Sequence, residues 1–536
     1  MLIGAKVINM KKENVLTIDF GTQSVRVAIF DAKGNEIAME KEKYNPPYFS
    51  SLPNYAEQYP DVYYQALCNC SRRLASDHPE LLDTVEGACL TTFRDSAVIL
   101  DKDRNVIRPM ILWLDQRNAE CKNPLPLLHR IAFKIVGMTN TIEMNRKRSV
   151  ANWLQENEPE NWAKVDKYVN ISTYFIYRLT GELKDSASDF AGHYPIDFKK
   201  KKWYNNPTKH MKGQIFGVKK SMLAEIVPEG QILGKINQKA HEETLLPLGL
   251  PLYACGSDKS CETLGLGVLD DRTAAISYGT ASTVETTRKK YTESETFLPG
   301  YASCIPGYYN MDVQIYRGYW MINWFLKEFG GKKVDDIIIS DVSADVFNSK
   351  LKEVPPGSDG LVLQPYWGPG LARPLAKGAV IGFSDAITQE HFYRAIIEGI
   401  AYALREGLEH FEKKTHHTIK EIRISGGGSQ SDEICQITSD IFGKPVVRVQ
   451  TFETSSLGAA MACFLAIGKY SSAEEAASNM VHKTDRFESN EDTHKIYNYL
   501  FEHAYKEMYP NLKNIYKDIK KFNSYQEKIL RKSNKK

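Results

Sequence analysis

Ile18-Asp19-Phe20-Gly21-Thr22-Gln23-Ser24, near the start of the chain, and Ile276-Ser277-Tyr278-Gly279-Thr280-Ala281-Ser282, just past its middle, are two copies of one phrase. Ile, Gly, Thr and Ser stand in register, and an aromatic matches an aromatic. Each copy reads as a β-strand, a Gly-Thr turn and a second strand, Val25 to Phe30 in the first and Thr283 to Thr286 in the second. Such a turn wraps an anion closely, because no Cβ blocks the approach and several N–H groups converge. Two of them predict a phosphate clamp closed from both sides. Only the first copy keeps an acid, since Asp19 corresponds to Ser277. That asymmetry predicts one turn beside a metal and one that touches phosphate alone.

A third element follows the same logic. Glu421-Ile422-Arg423-Ile424-Ser425 reads as a strand leading into Gly426-Gly427-Gly428-Ser429, with a helix from about Ser431 to Phe442. Glycines at a strand–helix junction let a flat ring or a ribose lie on the backbone, and the helix N-terminus favours nearby negative charge. A glycine triplet alone is as often a plain tight turn, so its weight comes from the two Gly-Thr turns. No Walker-type loop competes: none of Gly234-Lys235, Gly331-Lys332, Gly443-Lys444 and Gly468-Lys469 is followed by Ser or Thr.

At 536 residues the chain is too long for one ordinary core and predicts two large domains with room for a smaller appendage. The 42% hydrophobic and 25% charged residues are ordinary globular values, and a net charge of +3 gives no argument for a nucleic-acid partner. No apolar run reaches the length of a membrane span, and residues 1–14 lack the layout of a signal peptide, so no membrane partner is expected. Nine cysteines without CxxC spacing, in apolar settings such as Ala88-Cys89-Leu90, read as reduced core thiols of a cytoplasmic protein.

Residues 15–120 read as short strands alternating with turns, among them Asp31-Ala32-Lys33-Gly34-Asn35 and Asp101-Lys102-Asp103-Arg104-Asn105. Helical periodicity runs from about Ser149 to Leu179, broken at Glu158-Pro159. Pro251 to Asp258 reads as a strand entering a loop, followed by a short helix, and marks the expected domain junction. Phe392, Ala395, Ile396, Ile400, Ala403, Leu404, Leu408 and Phe411 recur at threes and fours on a helix that Thr388 caps. Further helices are expected after Gly428 and after Thr454-Ser455-Ser456. Beyond Tyr470 the chain turns polar and lysine-rich, and its terminal lysines read as a solvated tail. The expected divisions are an N-terminal extension 1–14, domains 15–258 and 259–468, and a lysine-rich helical extension 469–536.

These elements, in this order, resemble the nucleotide-binding core shared by sugar kinases, actin and heat-shock ATPases. In detail the chain resembles the FGGY carbohydrate kinases. The closer match is carried by Trp113-Leu114-Asp115-Gln116-Arg117, Tyr177-Arg178-Leu179-Thr180-Gly181-Glu182 with Ser188-Asp189, Cys255-Gly256-Ser257-Asp258, Gln364-Pro365-Tyr366 with Arg373-Pro374, and Arg394-Ala395 to Glu398-Gly399. The resemblance spans roughly Val15 to Gly468. It implies an α/β protein of two ribonuclease H-like, actin-like ATPase domains, each a mixed sheet flanked by helices, with MgATP and a sugar or polyol in a cleft between them. It is also compatible with a homodimer.

A sugar hydroxyl is a poor nucleophile at neutral pH, so a carboxylate must accept its proton as the γ-phosphoryl group moves. The resemblance assigns that base to Asp258, and to Asp19 the orientation of Mg2+ through water. It puts Gly21, Thr22, Gln23 and Ser24 around the γ-phosphate, Gly279 and Thr280 against the phosphates, and Gly427, Gly428, Ser429 and Asp432 by the adenosine. Arg94, Asp95 and Trp113 fall where glycerol kinase and its relatives place hydroxyl-binding residues; an Arg beside a carboxylate supplies donors and acceptors, and an indole an apolar face. Taken alone, Asp258 also reads as a helix cap, Arg94 with Asp95 as a surface ion pair, and Trp113 as a core side chain.

Two departures bear on the substrate. Phe93-Arg94-Asp95 stands where xylulokinases usually carry Met-His-Gly, and Val150 stands where the family pattern has a Lys, with Arg146, Lys147 or Arg148 as substitutes. The expected activity is ATP-dependent phosphorylation of a small sugar or polyol (EC 2.7.1.-). The alternatives are an actin-like or chaperone-like ATPase driving assembly or partner binding, and a sugar-sensing protein without turnover.

Overall fold

Alternate residues of β1 (Asn14–Phe20) serve two different cores. Leu16, Ile18 and Phe20 pack with Tyr63, Leu67 and Leu74 of the Pro60–Asp77 helix. Val15, on the other face, packs with Leu457, Met461 and Phe464 of the Thr454–Ala466 helix. A strand covered on both sides has to be apolar along its whole length, and every residue of β1 is buried. The same pleat sends Asp19 to the face of Val15.

The structure, a computed structural model, describes residues 12–294, 298–330, 332–334, 337–339, 344–367, 373 and 375–533. The expected N-terminal extension lies outside them up to residue 11, as do Gly331 and Pro374. The chain forms two compact units. One holds the residues up to Leu269, then Thr287–Asn310 and Glu453–His482; the other holds Asp270–Thr286, Met311–Phe452 and the residues from Lys483 on.

The first unit is built on β1, β2 (Ser24–Phe30), β3 (Glu36–Lys43), β4 (Val85–Thr92), β5 (Ile232–Lys235) and β6 (Pro251–Tyr253), in the sheet order β5–β6–β4–β1–β2–β3. β1 pairs antiparallel with β2 and parallel with β4, which is parallel to β6. The second unit repeats the scheme with β7 (Thr273–Tyr278), β8 (Ser282–Arg288), β9 (Tyr309–Ile315), β10 (Glu421–Ser425), β11 (Val446–Val449) and β12 (Lys483–Phe487), in the order β9–β8–β7–β10–β11–β12. β7 is antiparallel to β8 and parallel to β10. Its core is closed by the Gln389–Thr415 helix, whose N-terminus Thr388 and His391 cap reciprocally.

The Thr454–Ala466 helix belongs to the first unit because it lies directly on the Asp258–Gly265 helix. A Cβ on Gly458 would stand 1.8 Å from the Cys261 carbonyl oxygen, and one on Gly265 would stand 2.0 Å from that of Thr454. Only paired glycines allow so close an approach. The helix is buried from Ser456 through Phe464, and each large apolar side chain so buried contributes about 1.5–3 kcal/mol.

Several expectations change. The stretch 15–120 contains an 18-residue helix, Pro60–Asp77, begun by a proline at its first position, with Tyr63, Tyr64, Leu67, Ser71 and Leu74 buried at threes and fours. Between Ser149 and Leu179 the helices are interrupted by a strand, Lys167–Asn170, which pairs with Ala97–Leu100. The lysine-rich C-terminal segment begins on the second unit's core, where Tyr497, Phe501, Tyr505 and Met508 are buried, while the terminal lysines Lys513, Lys517, Lys520 and Lys521 are exposed as expected. All nine cysteines are free thiols, eight of them buried. Among the described residues no helix is long and apolar enough to cross a membrane.

Candidate active site

In the first unit the carboxyl ends of three neighbouring parallel strands converge. Asp19 stands at the end of β1, Arg94 two residues beyond β4, and Asp258 five residues beyond β6. In sheets of this kind, ligands sit outside the carboxyl ends of the strands. The three ends are also tied together: Phe93 N–H donates to the Phe20 carbonyl (3.1 Å), and Thr91 Oγ1 donates to the Gly256 carbonyl (2.8 Å).

Asp19 faces Arg26 across the β1–β2 pair, with Oδ2 3.7 Å from Nη1, and accepts from Ser456 Oγ at 3.4 Å. Glu453 holds Arg26 Nε at 2.6 Å and Lys41 Nζ at 3.1 Å. Burial pushes the Asp19 carboxyl up to about 6; Arg26 works against this, while Glu453 and Asp258 add to it. Glu453 and Asp258 thus act on the spot where Asp19 is buried, with Arg26 and Lys41 offsetting Glu453, and Lys259 and Arg94 offsetting Asp258. Among the described residues no group of three or more His, Cys, Asp or Glu side chains forms a metal cage. The donor set instead fits a hard divalent ion that keeps most of its waters and arrives on phosphates, as magnesium does. Asp19 is the residue that would hold it.

Asp258 opens the Asp258–Gly265 helix as its first residue, so the capping position falls to Ser257. Its Oδ1 accepts from Lys259 N–H (2.8 Å), and its carbonyl accepts from Ser455 Oγ (3.2 Å). Burial raises this carboxyl above its ordinary range, with Lys259 and Arg94 opposing.

In the first Gly-Thr turn Gly21 N–H closes on the Ser24 carbonyl (3.0 Å), leaving Gln23 exposed and Ser24 buried. Thr22 Oγ1 accepts from Trp113 Nε1 (3.0 Å), and the half-buried indole also packs against the first unit's core. Arg94 lies over the Tyr301 ring, 5.2 Å from its centre. Asp95 pairs with His193. It has a left-handed backbone (φ 60°) and binds His193 twice, through the backbone N–H at 3.1 Å and Nδ1 at 2.8 Å. His193 and Arg94 outweigh burial and hold the Asp95 carboxyl below its ordinary range. His193 Nε2 is buried with no hydrogen-bond partner among the described residues. The sequence carried no signal for this histidine beyond its place four residues after Asp189. Arg146 does not substitute for the Lys missing at Val150, because Glu143 and the Asn123 carbonyl occupy it.

In the second unit Gly279 and Thr280 form the turn after β7, and the Thr280 carbonyl accepts from Trp320 N–H (3.3 Å). The glycines after β10 differ from one another. Gly428 is pressed between Tyr278 and Tyr319, where a Cβ would meet each at 2.7 Å, whereas the nearest atom to one on Gly427 is 4.0 Å away. Gly427 therefore offers the open surface. Ser429 is fully buried and donates to the Gly426 carbonyl (2.7 Å), so its hydroxyl braces the turn. Asp432 is exposed, paired with Arg448 at 2.8 Å, beside the Ser431 cap.

Residues 14–265 match the N-terminal domain, and residues 274–467 the C-terminal domain, of the FGGY family of carbohydrate kinases. The uncharacterized sugar kinase YgcE of Escherichia coli K12 is 28% identical over 506 residues, covering 93% of this chain and 94% of that protein. The xylulose kinase of Lactococcus lactis is 28% identical over 517 residues, covering 95% and 99%. In fold, the gluconate kinase of Lactobacillus acidophilus matches with a TM-score of 0.79 at 20% identity, covering 94% of this chain and 99% of that one. The two units thus have the actin-like ATPase fold.

Proposed function

The chain belongs to the FGGY family of carbohydrate kinases, and on that premise we propose that it moves the γ-phosphoryl group of ATP to a hydroxyl of a small sugar or polyol, with Asp258 as general base. One observation carries the reading: Asp19 at the end of β1, Arg94 just beyond β4 and Asp258 just beyond β6 stand at neighbouring carboxyl ends of one sheet. The acid of the phosphate turn and the cation of the hydroxyl site thus share one locality with the base.

The roles follow from chemistry. Asp258, ionised, takes the proton of the attacking hydroxyl as its oxygen approaches the γ-phosphorus. Burial raises this carboxyl above its ordinary range, which strengthens it as a proton acceptor. Thr22 and the turn N–H groups receive the γ-phosphate, and Trp113, bonded to Thr22, couples the turn to the sugar side. Arg94 and the Asp95–His193 pair supply donors and acceptors for the remaining hydroxyls; Asp95 engages Nδ1, which leaves the buried Nε2 as the ring nitrogen still to be partnered. Gly279 and Thr280 serve the phosphates, and Gly427 with Gly428 the adenosine. Ser429 and Asp432 support that platform from behind and beside it. Asp19 is the residue that would hold a magnesium ion through water, and such an ion would supply positive charge to the transferring phosphate.

Coupled ADP-release assays over xylulose, gluconate, glycerol and related polyols test the reading. Asp258→Asn should lower kcat by about two to four orders of magnitude while leaving nucleotide binding nearly intact. Undiminished turnover in that variant would remove Asp258 from the mechanism. ATP hydrolysis stimulated by polymer or peptide and indifferent to sugar would favour an assembly ATPase instead.

A further inference from the structure

The last helix, Lys506–Ser533, changes character part-way along. Up to Tyr516 it is seated on the second unit: Met508 and Tyr516 are buried, and Tyr516 donates to Gln364 Oε1 at 3.0 Å. Ile515, Ile519, Phe522, Tyr525, Ile529 and Leu530 are nevertheless exposed, Phe522 at 58%. At about 100° per residue, Ile515, Ile519, Phe522, Ile529 and Leu530 fall on one arc of the helix, and Lys513, Lys517, Lys520 and Lys521 on the opposite one. Isolated exposed apolar residues are ordinary; a continuous stripe of large ones is not.

Charge says what covers the stripe. Residues 511–536 contain nine Lys and Arg against two Asp and Glu, although the whole chain is only +3. The segment therefore carries more than the entire net charge, and the remainder of the protein is net negative. Pairing the stripe with its counterpart on a second copy would bring two strongly positive segments together. An anionic lipid surface neutralises the lysines and takes up the apolar arc at once, with the long lysine side chains reaching the headgroups.

We propose that this helix is a peripheral membrane anchor that lies flat on anionic phospholipid, with Phe522 and Ile519 in the acyl boundary and Lys517 and Lys521 at the headgroups. The helix is too polar to span a bilayer. This inference is independent of the phosphoryl-transfer reading.

Co-sedimentation of the full chain with vesicles tests it. The protein should pellet with phosphatidylcholine vesicles containing phosphatidylglycerol, should stay in solution with phosphatidylcholine alone, and should be released by high salt. Phe522→Glu, and separately Lys517→Glu with Lys521→Glu, should each reduce the bound fraction about tenfold or more. These residues are exposed, so an unchanged circular dichroism spectrum and melting temperature in the variants certify the fold. Absence of binding to the anionic vesicles overturns the proposal. So does binding that Phe522→Glu leaves intact, which marks mere charge adsorption. A dimer in light scattering that Phe522→Glu dissociates, without vesicle binding, assigns the stripe to self-association and also overturns it.

Discussion

The two Gly-Thr turns share a phrase and a strand scheme, yet their surroundings differ in kind. In the first, Asp19 faces Arg26 across the hairpin and is approached by Glu453, Ser456 and Asp258. In the second, Ser277 faces Thr283 in the equivalent antiparallel pair. The braces also come from different distances. The first turn is completed by a helix more than 430 residues later, whereas the second is closed by Gly318 and Tyr319, whose N–H donates to Ser282 Oγ at 3.1 Å. One duplicated element has thus been given the charge chemistry and the other only the shape. The charged copy is the one braced from the more distant segment.

That brace can be broken most severely at Gly458. Gly458→Val must push its helix off the Cys261 and Gly265 backbone, which cannot yield as a side chain would. The expected cost is about 3 kcal/mol or more, read from urea unfolding, with Asp19 losing its Ser456 contact as well. A wild-type midpoint would mean that the helix is not seated as described. The next effect is electrostatic. Asp19→Ala should weaken magnesium-dependent nucleotide affinity about 10–100-fold, whereas Ser277→Ala should leave the magnesium titration unchanged. Equal losses in the two variants would erase the distinction between the turns.

Much of this was legible from the sequence because it resides in local patterns. The duplicated phrase, the glycines after a β-strand and the Thr388 cap are each decided by a few neighbouring residues. Asp19, Arg94 and Asp258 are named through the family resemblance that their motifs carry. What was not legible depends on residues distant in sequence. The linear division at 258 and 468 carries no sign that Glu453–His482 joins the first unit, because the signal is a pair of glycines almost two hundred residues apart. Glu453 and His193 look like ordinary polar residues until the fold brings them to Arg26 and Asp95. Ser429 erred in the opposite direction: a small hydroxyl beside glycines suggests a ligand contact, but the turn itself consumes it. The Pro60–Asp77 helix was missed because its buried face mixes tyrosines and cysteines with a serine, which blurs the apolar period.

The finest difference between the turns is a proton. The Asp19 carboxyl, ordinarily near 3.8, is raised to about 6 by burial, so between those values the folded protein holds a proton that the unfolded chain has lost. The ligand-free stability owed to this group is therefore full below 3.8, declines as pH rises through about 6, and is flat above. Phosphates that arrive with a divalent cation favour the ionised carboxyl, so their binding must expel the proton wherever Asp19 still holds it. At pH 6 that amounts to about half a proton per site, and near pH 8 to almost none. Calorimetry of magnesium–nucleotide binding at pH 6, in buffers of different ionisation enthalpy, reads the release directly. The apparent enthalpy should vary with buffer in the wild type and lose that share of the variation in Asp19→Asn, while Ser277→Ala behaves like the wild type because a serine has no proton to give. Buffer-independent enthalpies in the wild type would show that the first turn is as neutral as the second.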